Sequence, residues 1–189
     1  MEEIEGRAER VLASVPSWIW DGERLPVPVE DIADSCFGLL VRDVDDLSRA
    51  PGAPGLAPDQ SFSGLLLPAR GEIWVNAHEA AEWPPRRRFT IGHELGHWCM
   101  HRGEEESVFC RAAAVDAGDP GQPVPEQPVR ERPPLHPDEE EANAFAAALL
   151  MPARLLREHY ERPERDFARL CQAFGASGAA MGRRLHAVI

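Results

Sequence analysis

The chain is short of positive charge: 20 Lys and Arg residues stand against 32 Asp and Glu, a formal net charge of −12. A nonspecific nucleic-acid binder usually presents a basic patch, so direct nucleic-acid binding is not expected, whereas a basic protein partner would be drawn to such a field. Runs of about 18 apolar residues are missing, so no membrane span is expected. The opening residues, Met1-Glu-Glu-Ile-Glu-Gly-Arg7, are acidic and lack the apolar stretch of a secretory signal. The four cysteines, Cys36, Cys99, Cys110 and Cys171, are scattered and contain no Cys-x-x-Cys pair. That spacing argues against a disulfide framework and makes a reducing cytoplasm, with idle thiols, the expected setting. There are no internal repeats.

What is present suffices for a buried core. With 189 residues, 43% of them hydrophobic, the length suits one domain or one domain with a small appendage. Residues Glu2 to Ser14 read as an amphipathic helix ended by Pro16, followed by a packing segment through Trp18, Ile19 and Trp20. Val29 to Cys36 reads as a second helix stopped by Gly38, and Leu39 to Val44 as a strand. Ser61 to Leu67 and Glu72 to Asn76 read as strands joined by the loop Pro68-Ala-Arg-Gly71. Pro84 and Pro85 open a helix that continues through Arg86 to His101. Val108 to Ala112 is a further strand candidate. Residues 116–137, rich in proline and without aromatics, read as a mobile loop inside the main folded unit. Asp138 is expected to cap a helix running to about Met151. Helices over Ala153 to Tyr160, Pro163 to Phe174 and Ser177 to Val188 complete the chain. These readings divide it into 1–24, an N-terminal helix and packing segment; 25–160, the main folded unit; and 161–189, a C-terminal helical pair.

The chemistry concentrates in His93-Glu94-Leu95-Gly96-His97. On a helix, His93 and His97 lie one above the other on one face. Two imidazoles so placed can grip one zinc ion, and the glutamate between them can act as a general base. His101 lies about 80° further round the helix and should miss the metal. The longer metzincin pattern fails, because Met100 and Gly103 stand where it needs glycine and histidine. His78 and His136 read as turn residues. Cys110 is weighed as an inhibitory thiolate, against an ordinary strand cysteine.

A third ligand is needed, and Asp138-Glu-Glu-Glu-Ala-Asn-Ala-Phe145 offers three glutamates. Glu139 shares a helix face with Ala142, Ala146, Leu149 and Leu150, whose small alanines would let two helices approach closely. Asn143, four residues on, could hydrogen-bond a ligand from behind. Glu141 and Glu140 compete with Glu139, and an acidic first turn that merely favours the helix N-terminus accounts for the other two.

Arg88-Phe-Thr-Ile-Gly-His-Glu-Leu-Gly-His97, followed by Glu139-x-Glu-Ala-Asn-x-Phe-Ala-x-x-Leu-Leu-Met-Pro152, closely resembles the ImmA/IrrE metallopeptidases. Leu25-Pro-Val-Pro-Val-Glu-Asp-Ile-Ala33 and the central hairpin resemble that family too. The resemblance implies an α+β, minimal gluzincin-like fold: a small, mostly antiparallel sheet packed against the His-Glu-x-x-His and glutamate-ligand helices, with C-terminal helices. It implies one Zn2+ per chain held by His93, His97 and Glu139, with Glu94 as catalytic base. It also implies a protein substrate, a helix-turn-helix transcriptional repressor whose cleavage switches on stress or mobile-element genes.

Peptide hydrolysis needs a donor for the developing oxyanion, for which Tyr160 and His159 are candidates. The substrate is expected to extend along an edge strand, for which Glu72 to Asn76 is the choice. Two other readings are kept. One is a repressor-binding regulator with a vestigial zinc site. The other is a DNA-binding regulator acting through Phe167 to Ile189, where Gly175-Ala-Ser177 has helix-turn-helix rhythm and Arg183 and Arg184 add charge.

Overall fold

The computed structural model describes residues 2–51, 53, 60–101, 109–114, 136–161 and 166–189. The proline-rich segment 116–137 lies, but for its last two residues, outside the described residues. Helix α1 (Glu2–Ser14) begins with Glu2, Glu3 and Glu5, acids that suit the positive end of a helix dipole, and buries Ala8 and Leu12 one turn apart. Helix α2 (Val29–Phe37) stops at Gly38, whose φ of 66° supplies the left-handed residue that closes a helix. Strand β1 (Leu40–Val44) follows directly.

Strands β2 (Gln60–Leu67) and β3 (Glu72–Asn76) are joined by a tight 3-10 turn over Pro68–Arg70. Helix α3 (Ala77–Glu82) was not expected from the sequence. Asn76 caps it, its side-chain oxygen accepting from the backbone N–H groups of His78 and Glu79. His78 therefore sits on a helix rather than in a turn. Helix α4 (Pro84–Met100) carries the histidine motif and is buried continuously from Thr90 to His97. Strand β4 is Phe109–Ala114.

Helix α5 (Pro137–Leu150) has its cap two residues before the expected Asp138, because Pro137 occupies its first turn and His136 becomes the cap. Pro152 prevents continuation, and α6 (Ala153–Tyr160) restarts the chain. Helix α7 (Phe167–Phe174) is capped by Asp166 and ends at Gly175, with φ 59°. Helix α8 (Gly178–Val188) is capped by Ser177, which accepts from the Ala180 N–H. Among the described residues no helix is long and apolar enough to cross a membrane.

The sheet order is β1-β3-β2-β4. β1 runs parallel to β3, while β2 is antiparallel to both β3 and β4. This overturns the expectation that Glu72 to Asn76 is an edge. β3 is interior, and among the described residues β1 and β4 are the edges. The hairpin covers one side of β3, and the non-local parallel pairing with β1 covers the other.

Helix α4 packs on β2 and β3 on one side and on α5 on the other. Ile91 and Leu95 of α4 join Leu66, Ile73, Val75, Phe145, Leu149 and Met151 in the main core, which also takes in Ala8, Leu12, Phe174 and Met181 from the terminal helices. A smaller cluster of Leu47, Ala50, Phe62, Leu65 and Leu67 is separate from it. The mixed α+β architecture of a small sheet under two central helices is the expected one.

Candidate metal centre

Two arginines fix the start of α4. Arg87 donates from Nε to Asp43 Oδ1 (2.9 Å) and from Nη1 to Glu30 Oε2 (2.5 Å), tying α4 to α2 and β1. Glu30, then Asp43, hold the pKa of this guanidinium above its ordinary value against the opposing effect of burial. Arg88 donates from Nη2 to the Val27 carbonyl at 2.6 Å. Its burial lowers its pKa.

From that anchor, α4 runs against α5 at very close range. A Cβ placed on Gly96 would lie 3.1 Å from the Ala142 Cα and 3.1 Å from its carbonyl oxygen, and one on Gly92 would lie 3.4 Å from the Ala146 Cβ. Gly92, Gly96, Ala142 and Ala146 are thus the small residues that let the backbones approach.

The approach brings three donors together. His93 Nε2 lies 3.1 Å from His97 Nε2 and 3.2 Å from Glu139 Oε2, and His97 Nε2 lies 3.2 Å from Glu139 Oε1. A tetrahedral cation with ligand bonds of about 2.0–2.1 Å would separate its donor atoms by about 3.3 Å. The spacing fits, and so does the donor chemistry of two imidazoles and a carboxylate. His93, His97 and Glu139 could therefore hold a metal ion, and they are the group among the described residues whose ligand atoms all lie within 4.8 Å of one another.

The surroundings prepare these donors. The Asn143 amide oxygen lies 3.1 Å from His93 Nδ1. An amide oxygen can only accept, so Nδ1 is the donor there, and Nε2 is left to face the Glu139 carboxylate or, once deprotonated, a cation. Burial raises the pKa of the Glu139 carboxyl, but hydrogen bonds from His93 and His97, with their charge, outweigh it and hold the value down to about 2. Glu139 is thus a carboxylate at any ordinary pH. Glu94 is fully buried.

The competing glutamates go elsewhere. Glu141 lies 3.8 Å from His101 Nε2, and Asp138 lies 3.9 Å from His101 Nδ1. Glu140 lines a cavity of about 810 Å³ between α1, α5 and α8. His101 stacks obliquely on His97, with ring centroids 5.4 Å apart, and is not one of the three converging donors. Tyr160 and His159 end α6, where Tyr160 packs on the main core and the His159 ring meets Phe174 edge-on at 5.5 Å. The Cys110 side chain lies outside the described residues. Cys36 and Cys171 are half-buried thiols whose pKa burial pushes up.

The residue that sequence reasoning passed over is Gly64 in β2, where an added Cβ would meet Thr90 and Glu94. A glycine inside a strand pattern was its available signal, since such glycines mark bulges or close backbone approach.

A family model described as the IrrE N-terminal-like domain, from a family of peptidases, matches residues 53–127 and 130–186. No curated protein matches the chain.

Proposed function

Because the chain belongs to the IrrE N-terminal-like peptidase family, we propose that it is a zinc-dependent endopeptidase in which His93, His97 and Glu139 hold one Zn2+. The observation that carries this reading is the convergence of His93 Nε2, His97 Nε2 and the Glu139 oxygens at 3.1–3.2 Å. Zinc held by that set would supply Lewis acidity and lower the pKa of a nearby water.

The chain's own residues do the rest. Glu94, buried on the same helix, takes the proton from the attacking water and returns it to the leaving nitrogen. Asn143 fixes the His93 ring. Tyr160 and His159 are the candidate donors to the oxyanion, and Tyr160→Phe and His159→Ala should each lower kcat if they serve there. With β3 interior, the edge proposed for an extended substrate is β4, an edge among the described residues, which neighbours the β2 strand that carries Gly64. The substrate proposed is a helix-turn-helix transcriptional repressor, cleaved in the cytoplasm to release stress or mobile-element genes. The division into 1–24, 25–160 and 161–189, with 116–137 as a mobile loop, is part of the same proposal.

The test is to incubate the purified protein with the repressor encoded beside its gene, with and without zinc. Cleavage should require zinc. Glu94→Gln should keep the metal and lower turnover by about 10²–10⁴-fold. Undiminished turnover in that variant removes Glu94 from the mechanism, and repressor that binds but stays whole leaves only a regulatory role.

A further inference from the structure

Strand β2 carries a bulge beside the metal centre. Phe62 pairs with Ala112 and Gly64 with Arg111, leaving Ser63 as the extra residue. The bulge changes which way the strand faces. In strict alternation Phe62 and Leu65 would point to opposite sides. Here both pack in the smaller cluster, away from the main core that takes Leu66. Gly64 is thereby turned toward α4, as bulges near functional sites re-aim a strand.

At that point there is no room for a side chain. A Cβ on Gly64 would lie 2.3 Å from Thr90 Cγ2 and 3.3 Å from Glu94 Oε1. Neither partner can withdraw. β2 is an interior strand paired on both sides, and Leu65 and Leu66 are 0% and 1% exposed. α4 is backed by α5, with the 3.1 Å clearance at Gly96 leaving no slack. Thr90 is β-branched, stiff about χ1 and buried. The added Cβ would also lie 3.2 Å from the Trp74 carbonyl oxygen of β3, so its volume must be taken up by the Thr90 and Glu94 side chains.

We propose that the bulged Ser63–Gly64 corner is the positioning device for Glu94: a strand backbone that leaves no room for a side chain beside Thr90 and one Glu94 carboxylate oxygen limits the directions in which that carboxylate can point. Gly64 is a positioning residue that acts through Glu94, and the inference rests on the reading of Glu94 as general base.

The test needs no peptide substrate. In Co2+-loaded protein, acetohydroxamate chelates the ion while its N–H and hydroxyl come within reach of a carboxylate beside it, so its affinity, read from the visible absorption of Co2+, reports where Glu94 points. Gly64→Ala should keep Co2+ affinity within twofold and weaken acetohydroxamate at least tenfold. Adding Thr90→Ser removes the obstructing methyl and should restore the affinity to within threefold. Glu94→Gln should weaken acetohydroxamate by itself, with Gly64→Ala adding nothing in that background. Close packing without a positioning role predicts only a lower Tm for Gly64→Ala.

Unchanged acetohydroxamate affinity in Gly64→Ala, parallel loss of Co2+, or no rescue by Thr90→Ser overturns the inference. If Gly64→Ala alone does not fold, the double variant decides: affinity within threefold of the parent supports the positioning role, and a larger loss overturns it. Unchanged affinity in Glu94→Gln sinks both this inference and the functional reading. The expected pattern in a protein that cleaves no repressor sinks the substrate assignment alone.

Discussion

At the scale of single residues, helical spacing gave the two imidazoles, since four residues bring two side chains onto one face. It also favoured Glu139 over its neighbours, because Glu139 shares a face with the alanines that meet Gly92 and Gly96. What spacing could not give is the state of each ring. That depends on Asn143, which fixes the His93 tautomer across two helices. Asn143→Ala should therefore lower metal affinity about 10–100-fold while the fold remains, measured by competition with a metal-sensitive dye. Glu139 makes a second prediction. Its folded pKa, about 2, lies below the 4.5 of an unperturbed glutamate. The stabilisation it gives the metal-free protein is thus present above about pH 4.5 and lost as pH falls toward about 2. Urea melts of metal-free protein at pH 6, 4.5 and 3 should show a steeper acid loss for the parent than for Glu139→Gln.

At the scale of elements, periodicity and punctuation found most helices and strands to within a residue or two. The failure at β3 has a non-local cause: its neighbours in space were decided by contacts distant in sequence. Glu72 to Asn76 has the pattern of a strand, but nothing in that pattern says that β1 will pair with its free side. Helix α3 was missed because six residues are too few for a periodic signal, although Asn76 and Glu79 at its start have the spacing of a helix cap. His136 replaced Asp138 as a cap because Pro137 suits a first helical position. The α4–α5 contact gives the prediction at this scale. Gly96→Val inserts branched volume where 3.1 Å is available. It should cost about 1–3 kcal/mol in a urea melt and weaken metal binding as well, because the helices that carry the donors are forced apart.

At the scale of the molecule, the two ends of the chain are locked to the ligand helix. Arg184 of α8 is buried, donates to Glu5 of α1 through Nη1 (2.7 Å) and Nη2 (2.5 Å), and donates from Nε to the Met151 carbonyl just past α5 (2.9 Å). One of the two arginines that add charge to α8 is thus turned inward, and Ala180 and Met181 beside it are buried too. Removing one partner of a buried pair leaves the other uncompensated. Arg184→Ala should cost about 2–4 kcal/mol, and Glu5→Gln less, because the Glu5 side chain is 29% exposed. Chemical denaturation of both variants checks the order.

Local chemistry written along the chain determined the donor types, their helical phase, the small residues between the two central helices and most helix limits. These follow from repeat distances of a few residues, which a sequence carries directly. Tertiary structure alone decided the order of the strands, the protonated nitrogen of His93, the bulge that turns Gly64 toward Glu94 and the inward fate of Arg184. Each of these depends on which distant segments share a surface, and that is set by packing the whole core at once.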